Sequence, residues 1–135
     1  MKKTRFSSPR YFKLSKKQNA NEILEDYVEA IEEISKDKKD VKNIDLSKHF
    51  GVSNATVNKN IKRLIKAKLV TSEKYRSVHL TTSGKKLALD SNARHEIVFK
   101  FLRKIGVPKK IAEEDSEGME HHISLQTLKI MKAFI

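Results

Sequence analysis

Apolar residues recur along most of the chain at the three- and four-residue spacing of amphipathic helices. The pattern predicts helices over residues 22–37, 44–50, 54–66, 83–104, 108–122 and 124–134. Two short β-prone runs, 69–71 and 78–81, flank a polar stretch and predict a hairpin. The predicted fold class is therefore mainly α, with one pair of strands.

The sharpest local pattern lies in the middle of the chain. A short amphipathic helix ends at Gly51, Ser53 is a favourable N-cap, and a polar, basic helix follows. With the hairpin directly behind it, this order predicts a winged helix-turn-helix. Asn and Thr on the second helix can read base edges, and Lys and Arg can meet phosphates. The candidate DNA-contacting residues are Ser53, Asn54, Thr56, Asn58, Lys59, Lys62, Arg63, Lys74 and Arg76. The alternative is a helical hairpin whose charges are only solvated.

The charge balance favours a polyanionic partner. Lys and Arg number 29 against 17 Asp and Glu, which gives a formal net charge of +12. Residues 1–20 contain seven of the basic residues and no acidic one, so they carry more than half of the excess. We interpret residues 1–21 as a basic, flexible arm, which either only solubilises the chain or adds phosphate contacts.

Composition excludes several other classes of protein. The chain has 135 residues, the size of one domain, and no cysteine, so disulfides and thiolate metal sites are excluded. No apolar run approaches the length of a membrane span, and no secretory signal is visible. We expect a cytoplasmic protein with no membrane partner and no small-molecule substrate.

A small group of acids and imidazoles carries the candidate metal chemistry. On a helix, Glu117, Glu120 and His121 share one face, and their donors suit a cation of moderate hardness such as Mn²⁺ or Fe²⁺. Asp26 and Glu29 form a second carboxylate pair at helical spacing. Both patterns are also typical of solvated helix faces.

The long predicted helix adds two features. His95 and Glu96 begin like the helix of a zinc protease, but Phe99 stands where the second His would be, so that motif is absent. Arg94 falls on the apolar side of the helix, and a buried Arg requires acidic partners. The apolar face of residues 125–134 indicates a further partner, and the added helices indicate a dimerisation and sensing module.

Taken together, these segments resemble the manganese transport regulator branch of the diphtheria-toxin-repressor family. The resemblance covers residues 22–134 and rests on motifs in order and spacing: Glu25-Asp26-Tyr27-Val28-Glu29, the helix-turn-helix, Glu73-Lys74-Tyr75-Arg76, Leu80 to Lys86, Arg94-His95-Glu96, Phe101-Leu102, Ile105-Gly106-Val107 and Glu117 to His122. It implies a winged helix-turn-helix over 22–82, followed by an α-helical metal-binding and dimerisation domain over 83–135.

The resemblance also implies a ligand set and a mode of action. The implied metal ligands are Asp26, Glu29, His95, Glu117, Glu120 and His121, with Glu117 and Glu120 bridging a binuclear Mn²⁺ site. Iron-sensing relatives carry Cys where this chain has Glu117, and Fe²⁺ remains the alternative ion. A metal-loaded homodimer would bind a palindromic DNA operator and repress metal-uptake genes. Two competing functions stay open: a metal-independent winged-helix DNA-binding protein, and a small metal-dependent hydrolase.

Overall fold

The computed structural model describes the backbone of residues 9–73 and 77–135, with side chains described from residue 20 onward. Within these residues, helices and strands follow the order α1 Pro9–Asp37, β1 Val41–Lys42, α2 Asn43–Phe50, α3 Asn54–Lys66, β2 Val70–Ser72, β3 Ser77–Leu80, α4 Thr82–Lys104, α5 Lys109–Met119, a 3₁₀ turn Glu120–His122 and α6 Leu125–Ala133. The predicted helices are all present, and the fold is mainly α.

The first helix is longer than the hydrophobic pattern predicted. It begins at Pro9, whereas the apolar stripe predicted a start at residue 22. The sequence analysis interpreted residues 1–21 as a basic, flexible arm, whereas the backbone from residue 9 onward is helical; residues 1–8 lie outside the described part. Proline is well suited to the first position of a helix. The following residues are mostly good helix formers, although they have no apolar stripe.

The sheet has one strand more than predicted. Strand β3 lies between β1 and β2, and both neighbours pair with it in antiparallel fashion. The register aligns Val78 with Val41 and Leu80 with Val70. Val41 is fully buried, so this single apolar residue after a charged loop joins the core as a third strand. Lys74 and Arg76, predicted at the wing tip, lie outside the described residues.

The apolar side chains of the described residues form two hydrophobic clusters. One cluster packs α1 against α2, α3 and the sheet, and its fully buried members include Val28, Leu46 and Leu64. The other is built around Val98 and Leu102 of α4, together with α5 and α6. Helices α1 and α4 pack against each other, and α4 contributes to both clusters, through Ala88 to the first and through Val98 to the second.

The helix ends are set by side chains and glycines. Gly51 has φ +65° and ends α2, as predicted, since a residue with a Cβ rarely adopts that conformation. Thr81 caps α4 by accepting the Gly84 N–H at 3.1 Å, so the helix begins at Thr82, one residue earlier than predicted. Among the residues described, no helix has both the length and the apolar character to cross a membrane.

Candidate metal centre and DNA-binding face

Acidic and imidazole side chains from three parts of the chain meet between α1, α4 and the end of α5. In the described part of the chain, two groups of three offer ligand atoms that lie within 4.8 Å of one another. One group is Glu22, Asp26 and His121, and the other is His95, Glu117 and Glu120. The structure thus brings five of the six predicted ligands together, and it adds Glu22, which the sequence analysis missed.

Glu120 connects the two groups. Its Oε2 lies 2.7 Å from His95 Nδ1, and its Oε1 lies 3.3 Å from His121 Nε2. The same His121 nitrogen is 2.9 Å from Asp26 Oδ1, and His95 Nδ1 is 3.6 Å from Glu117 Oε1. The two oxygens of a fully buried carboxylate therefore face one imidazole in each group.

Glu29, the sixth predicted ligand, lies beside these groups but belongs to neither. Its carboxylate accepts a hydrogen bond from Ser91 Oγ on α4. Together with His95 and Glu117 it lines a cavity of about 310 Å³. Glu32, Glu33 and Lys36 also line this cavity, so its charged lining is mainly acidic.

Burial and the neighbouring carboxylates together shift the pKa values in the centre. Burial, reinforced by the nearby Glu29 carboxylate, raises the pKa of Glu120 to about 8. Burial also raises the pKa of Glu29, although the hydrogen bond from Ser91 opposes this. Burial alone would lower the pKa of His121, but the Asp26 and Glu25 carboxylates outweigh it and raise that pKa to about 10. Without a cation, the centre therefore holds protons in its place.

A buried ion pair orients His121 from behind. Glu25 Oε2 lies 2.5 Å from His121 Nδ1, and Glu25 Oε1 lies 2.7 Å from an Arg94 guanidinium nitrogen. Burial would raise the pKa of Glu25, but the bonds to His121 and Arg94 outweigh burial and lower it. The acidic partner predicted for Arg94 is thus confirmed. A carboxylate on one ring nitrogen leaves the other free to bind a metal, an arrangement common around metal-bound histidines.

Within the described residues, two buried atoms of the centre have no hydrogen-bond partner. They are Glu120 Oε1 and His121 Nε2, whose contacts with their neighbours lack the direction of a hydrogen bond. Buried polar atoms are nearly always hydrogen-bonded, so these two atoms mark a place where another group binds. Oxygen and nitrogen donors of this kind suit a divalent cation, and the residues present therefore fit one.

The second helix of the helix-turn-helix presents most of the predicted DNA-contacting residues to solvent. Ser53 caps α3 by accepting the Thr56 N–H at 3.2 Å, as predicted. Of the predicted residues along the helix, the exposed ones are Asn54, Thr56, Lys59, Lys62 and Arg63. Asn58 differs from the prediction: it is half-buried, and its amide oxygen accepts a hydrogen bond from Asn43 of α2.

Two family models match the chain and between them span nearly all of the region from residue 21 onward. The N-terminal DNA-binding domain of iron-dependent repressors matches residues 21–78. The metal-binding and dimerisation domain of the same proteins matches residues 81–135. The chain belongs to the iron-dependent repressor family. It is a metal-responsive, DNA-binding transcriptional regulator and not an enzyme, so the hydrolase alternative is excluded.

Similar proteins in this family carry manganese regulator names. The chain is 39% identical to the transcriptional regulator MntR of Escherichia coli over 123 residues, 91% of this chain and 79% of that protein. It is 35% identical to the regulator MntR of Bacillus subtilis over 105 residues, 78% of this chain and 74% of that protein.

Solved structures with the same fold include a manganese-dependent transcriptional repressor in complex with manganese, with a TM-score of 0.71 and 27% identity. The alignment covers 82% of this chain and 51% of the solved one, so the chain spans about half the length of that protein. The manganese regulator SloR matches with the same TM-score and 26% identity, again over about half of its length.

In this member of the iron-dependent repressor family, the candidate centre lies across the two matched regions. Asp26 belongs to the DNA-binding region, whereas His95, Glu120 and His121 belong to the metal-binding region. Tyr27, the residue after Asp26, accepts a hydrogen bond from Asn60 Nδ2 of α3 at 3.0 Å. The helix that supplies carboxylates to the centre is therefore bonded directly to the helix that carries the DNA-binding face.

Proposed function

We propose that this regulator responds to manganese and binds a palindromic operator as a metal-loaded homodimer that represses metal-uptake genes. The proposed ligands are Asp26, Glu29, His95, Glu117, Glu120 and His121, and the proposed occupancy is two Mn²⁺ ions per chain. A cytoplasmic location remains a prediction that accords with this function.

The observation that carries the proposal is the pair of ligand groups joined by the two oxygens of Glu120. Two neighbouring groups that share a carboxylate are what a binuclear centre requires. The donors are all oxygen and imidazole nitrogen, and the chain has no cysteine. Because Mn²⁺ binds more weakly than Fe²⁺, Co²⁺ or Zn²⁺ to a given site, hard ligands and geometry must provide its selection.

The proposed mechanism begins with repulsion among the carboxylates. Glu120 lies close enough to Glu29, Glu117 and Asp26 for each of them to raise its pKa, so the acids cannot all ionise at low cost. A bound divalent cation supplies the positive charge that this cluster lacks. The carboxylates of α1 can then stay beside α4 and the 3₁₀ turn, and Tyr27 holds α3 to α1. Metal occupancy and DNA-reading geometry are thereby coupled through one packed helix.

On DNA, each copy of α3 would enter the major groove. Lys59, Lys62 and Arg63 would meet phosphates, and Asn54 and Thr56 would reach base edges. A dimer of this kind binds half-sites about one or two helical turns apart. We propose residues 22–82 as the DNA-binding domain and 83–135 as the metal-sensing and dimerisation domain.

The proposal is tested by titrating Mn²⁺ against operator binding of the parent, Asp26→Ala and Glu117→Cys proteins. Asp26→Ala should weaken the metal response with the fold intact, because this side chain is 39% exposed and lies outside both hydrophobic clusters. Glu117→Cys should shift the response towards softer ions such as Fe²⁺, Co²⁺ or Zn²⁺. Three superimposable curves would refute the metal site. Operator affinity that survives chelation unchanged would favour metal-independent binding.

A further inference from the structure

Glu22 stands next to the proposed ligands but belongs to none of the motifs that led to them. It lies on α1 four residues before Asp26, so both carboxylates are on one side of the helix. One ligand atom from Glu22, one from Asp26 and one from His121 lie within 4.8 Å of one another. Without Glu22, this group would contain only two side chains that can bind a cation.

A second observation indicates that a ligand belongs at this place. The side chain of His121 is 1% exposed, and its Nε2 has no hydrogen-bond partner in the part of the chain that the structure describes. Its Nδ1 is already bonded to Glu25, so the ring is fixed with Nε2 directed towards the group. A buried nitrogen held in this way and left without a hydrogen bond is a ligand position rather than a solvated side chain.

Glu22 itself is held in place by a neighbour. His122 Nε2 lies 2.9 Å from Glu22 Oε2, and the two side chains are 36% and 32% exposed. A carboxylate has two oxygens, so this contact leaves one of them available. Metal-bound carboxylates are commonly oriented by such a hydrogen bond from a second residue.

We propose that Glu22 is a further ligand of the cation bound by Asp26 and His121, and that His122 is the residue that positions it. This inference rests on the proposed manganese response. The ligand is a hard divalent cation, because the group then offers two carboxylates and one imidazole. The competing explanation is that Glu22 and His122 only fasten the 3₁₀ turn to α1.

The test measures metal binding directly, without DNA. Mn²⁺ is titrated into the full chain, and the free ion is followed by its electron paramagnetic resonance signal. Glu22→Gln removes the ligand charge while it keeps the size and polarity of the side chain. His122→Ala removes the positioning contact and leaves the carboxylate in place. Glu114→Gln is the matched control, since it deletes one exposed acidic charge outside both ligand groups.

We expect Glu22→Gln to lower the binding affinity for one of the two Mn²⁺ ions by about 10-fold or more. His122→Ala should cause a smaller loss, and Glu114→Gln should match the parent. Far-UV circular dichroism of the metal-free proteins should be the same for all four, because Glu22 is partly exposed and lies outside the hydrophobic clusters.

Two outcomes would overturn the inference. Equal isotherms for Glu22→Gln and Glu114→Gln would show that Glu22 is not a ligand. A loss in His122→Ala as large as that in Glu22→Gln would show that the pair only fastens the turn. The proposed function fails separately: a parent that binds Mn²⁺ through Glu22 but whose operator affinity ignores the metal would leave this inference standing. A parent that binds no Mn²⁺ would refute both.

Discussion

Tyr27→Phe deletes a single hydroxyl from the contact between α1 and α3. In the parent, this hydroxyl accepts a hydrogen bond from Asn60 Nδ2 at 3.0 Å, and both residues are buried. The ring itself is stacked on Phe50 with centroids 4.5 Å apart, and phenylalanine keeps that stacking. The substitution therefore isolates one bond between the helix of the metal centre and the DNA-reading helix.

The cost follows from the burial of Asn60. Asn60 is only 8% exposed, so water can replace the lost hydrogen-bond acceptor only poorly. Leaving a buried amide donor unsatisfied costs about 1–3 kcal/mol. We therefore expect the free energy of unfolding of Tyr27→Phe to fall by about 1–2 kcal/mol in urea titrations, with little change in m-value. Mn²⁺ affinity should be unchanged, because no ligand is removed, while the gain in operator affinity on adding Mn²⁺ should shrink.

A double-mutant cycle separates this bond from other effects. Asn60→Leu removes the donor with similar side-chain volume, and the double variant leaves neither polar group unpaired. The two single changes should therefore be non-additive, with a coupling energy of about 0.5–3 kcal/mol. Additive effects on stability would refute the bond, and an unchanged metal response in Tyr27→Phe would refute its role in coupling.

Three further predictions concern packing, DNA and pH. A Cβ at Gly84 would overlap the Leu69 carbonyl oxygen, so Gly84→Ala should destabilise the fold by about 1–3 kcal/mol. A Cβ at Gly118 has no neighbouring atom within 4 Å among the described residues, so Gly118→Ala should not destabilise the fold. Thermal unfolding of both variants tests this prediction. Lys62→Ala should weaken binding to specific and random DNA alike, and it should lower the slope of log affinity against log salt concentration by about one. Fluorescence anisotropy at several salt concentrations can measure both effects. A loss of affinity for the operator alone would contradict a phosphate contact. The raised pKa values of Glu120 and His121 mean that Mn²⁺ must displace protons when it binds, so Mn²⁺ affinity should rise from pH 6 to pH 8. Calorimetry in buffers of different ionisation enthalpy would count the protons released. A pH-independent affinity would contradict the assignment of these two residues as ligands.

Much of the architecture was determined by the sequence alone, because it depends on local patterns. The spacing of apolar residues predicted the helices of the described chain apart from residues 9–21 of α1, and Gly51 and Ser53 marked the turn of the helix-turn-helix. These features are set by contacts within a few residues, and a periodic pattern reports them directly. Arg94 on an apolar face also predicted its own acidic partner, since a buried guanidinium cannot remain unpaired.

Only the tertiary structure decided which acids meet. Glu22 and Asp26 lie four residues apart on α1, whereas His121 lies far along the chain, and the packing of α1 on α4 and the 3₁₀ turn brings them together. Their local pattern is the same as that of a solvated helix face, so spacing alone left both interpretations open. The third strand and the burial of Asn58 were missed for the same reason. Val41 acquires its role only by pairing with Val78, and Asn43 only by its hydrogen bond to Asn58, and both partners are distant in sequence. Periodicity reports which side of a helix is apolar, whereas a binding site depends on what packs against the polar side.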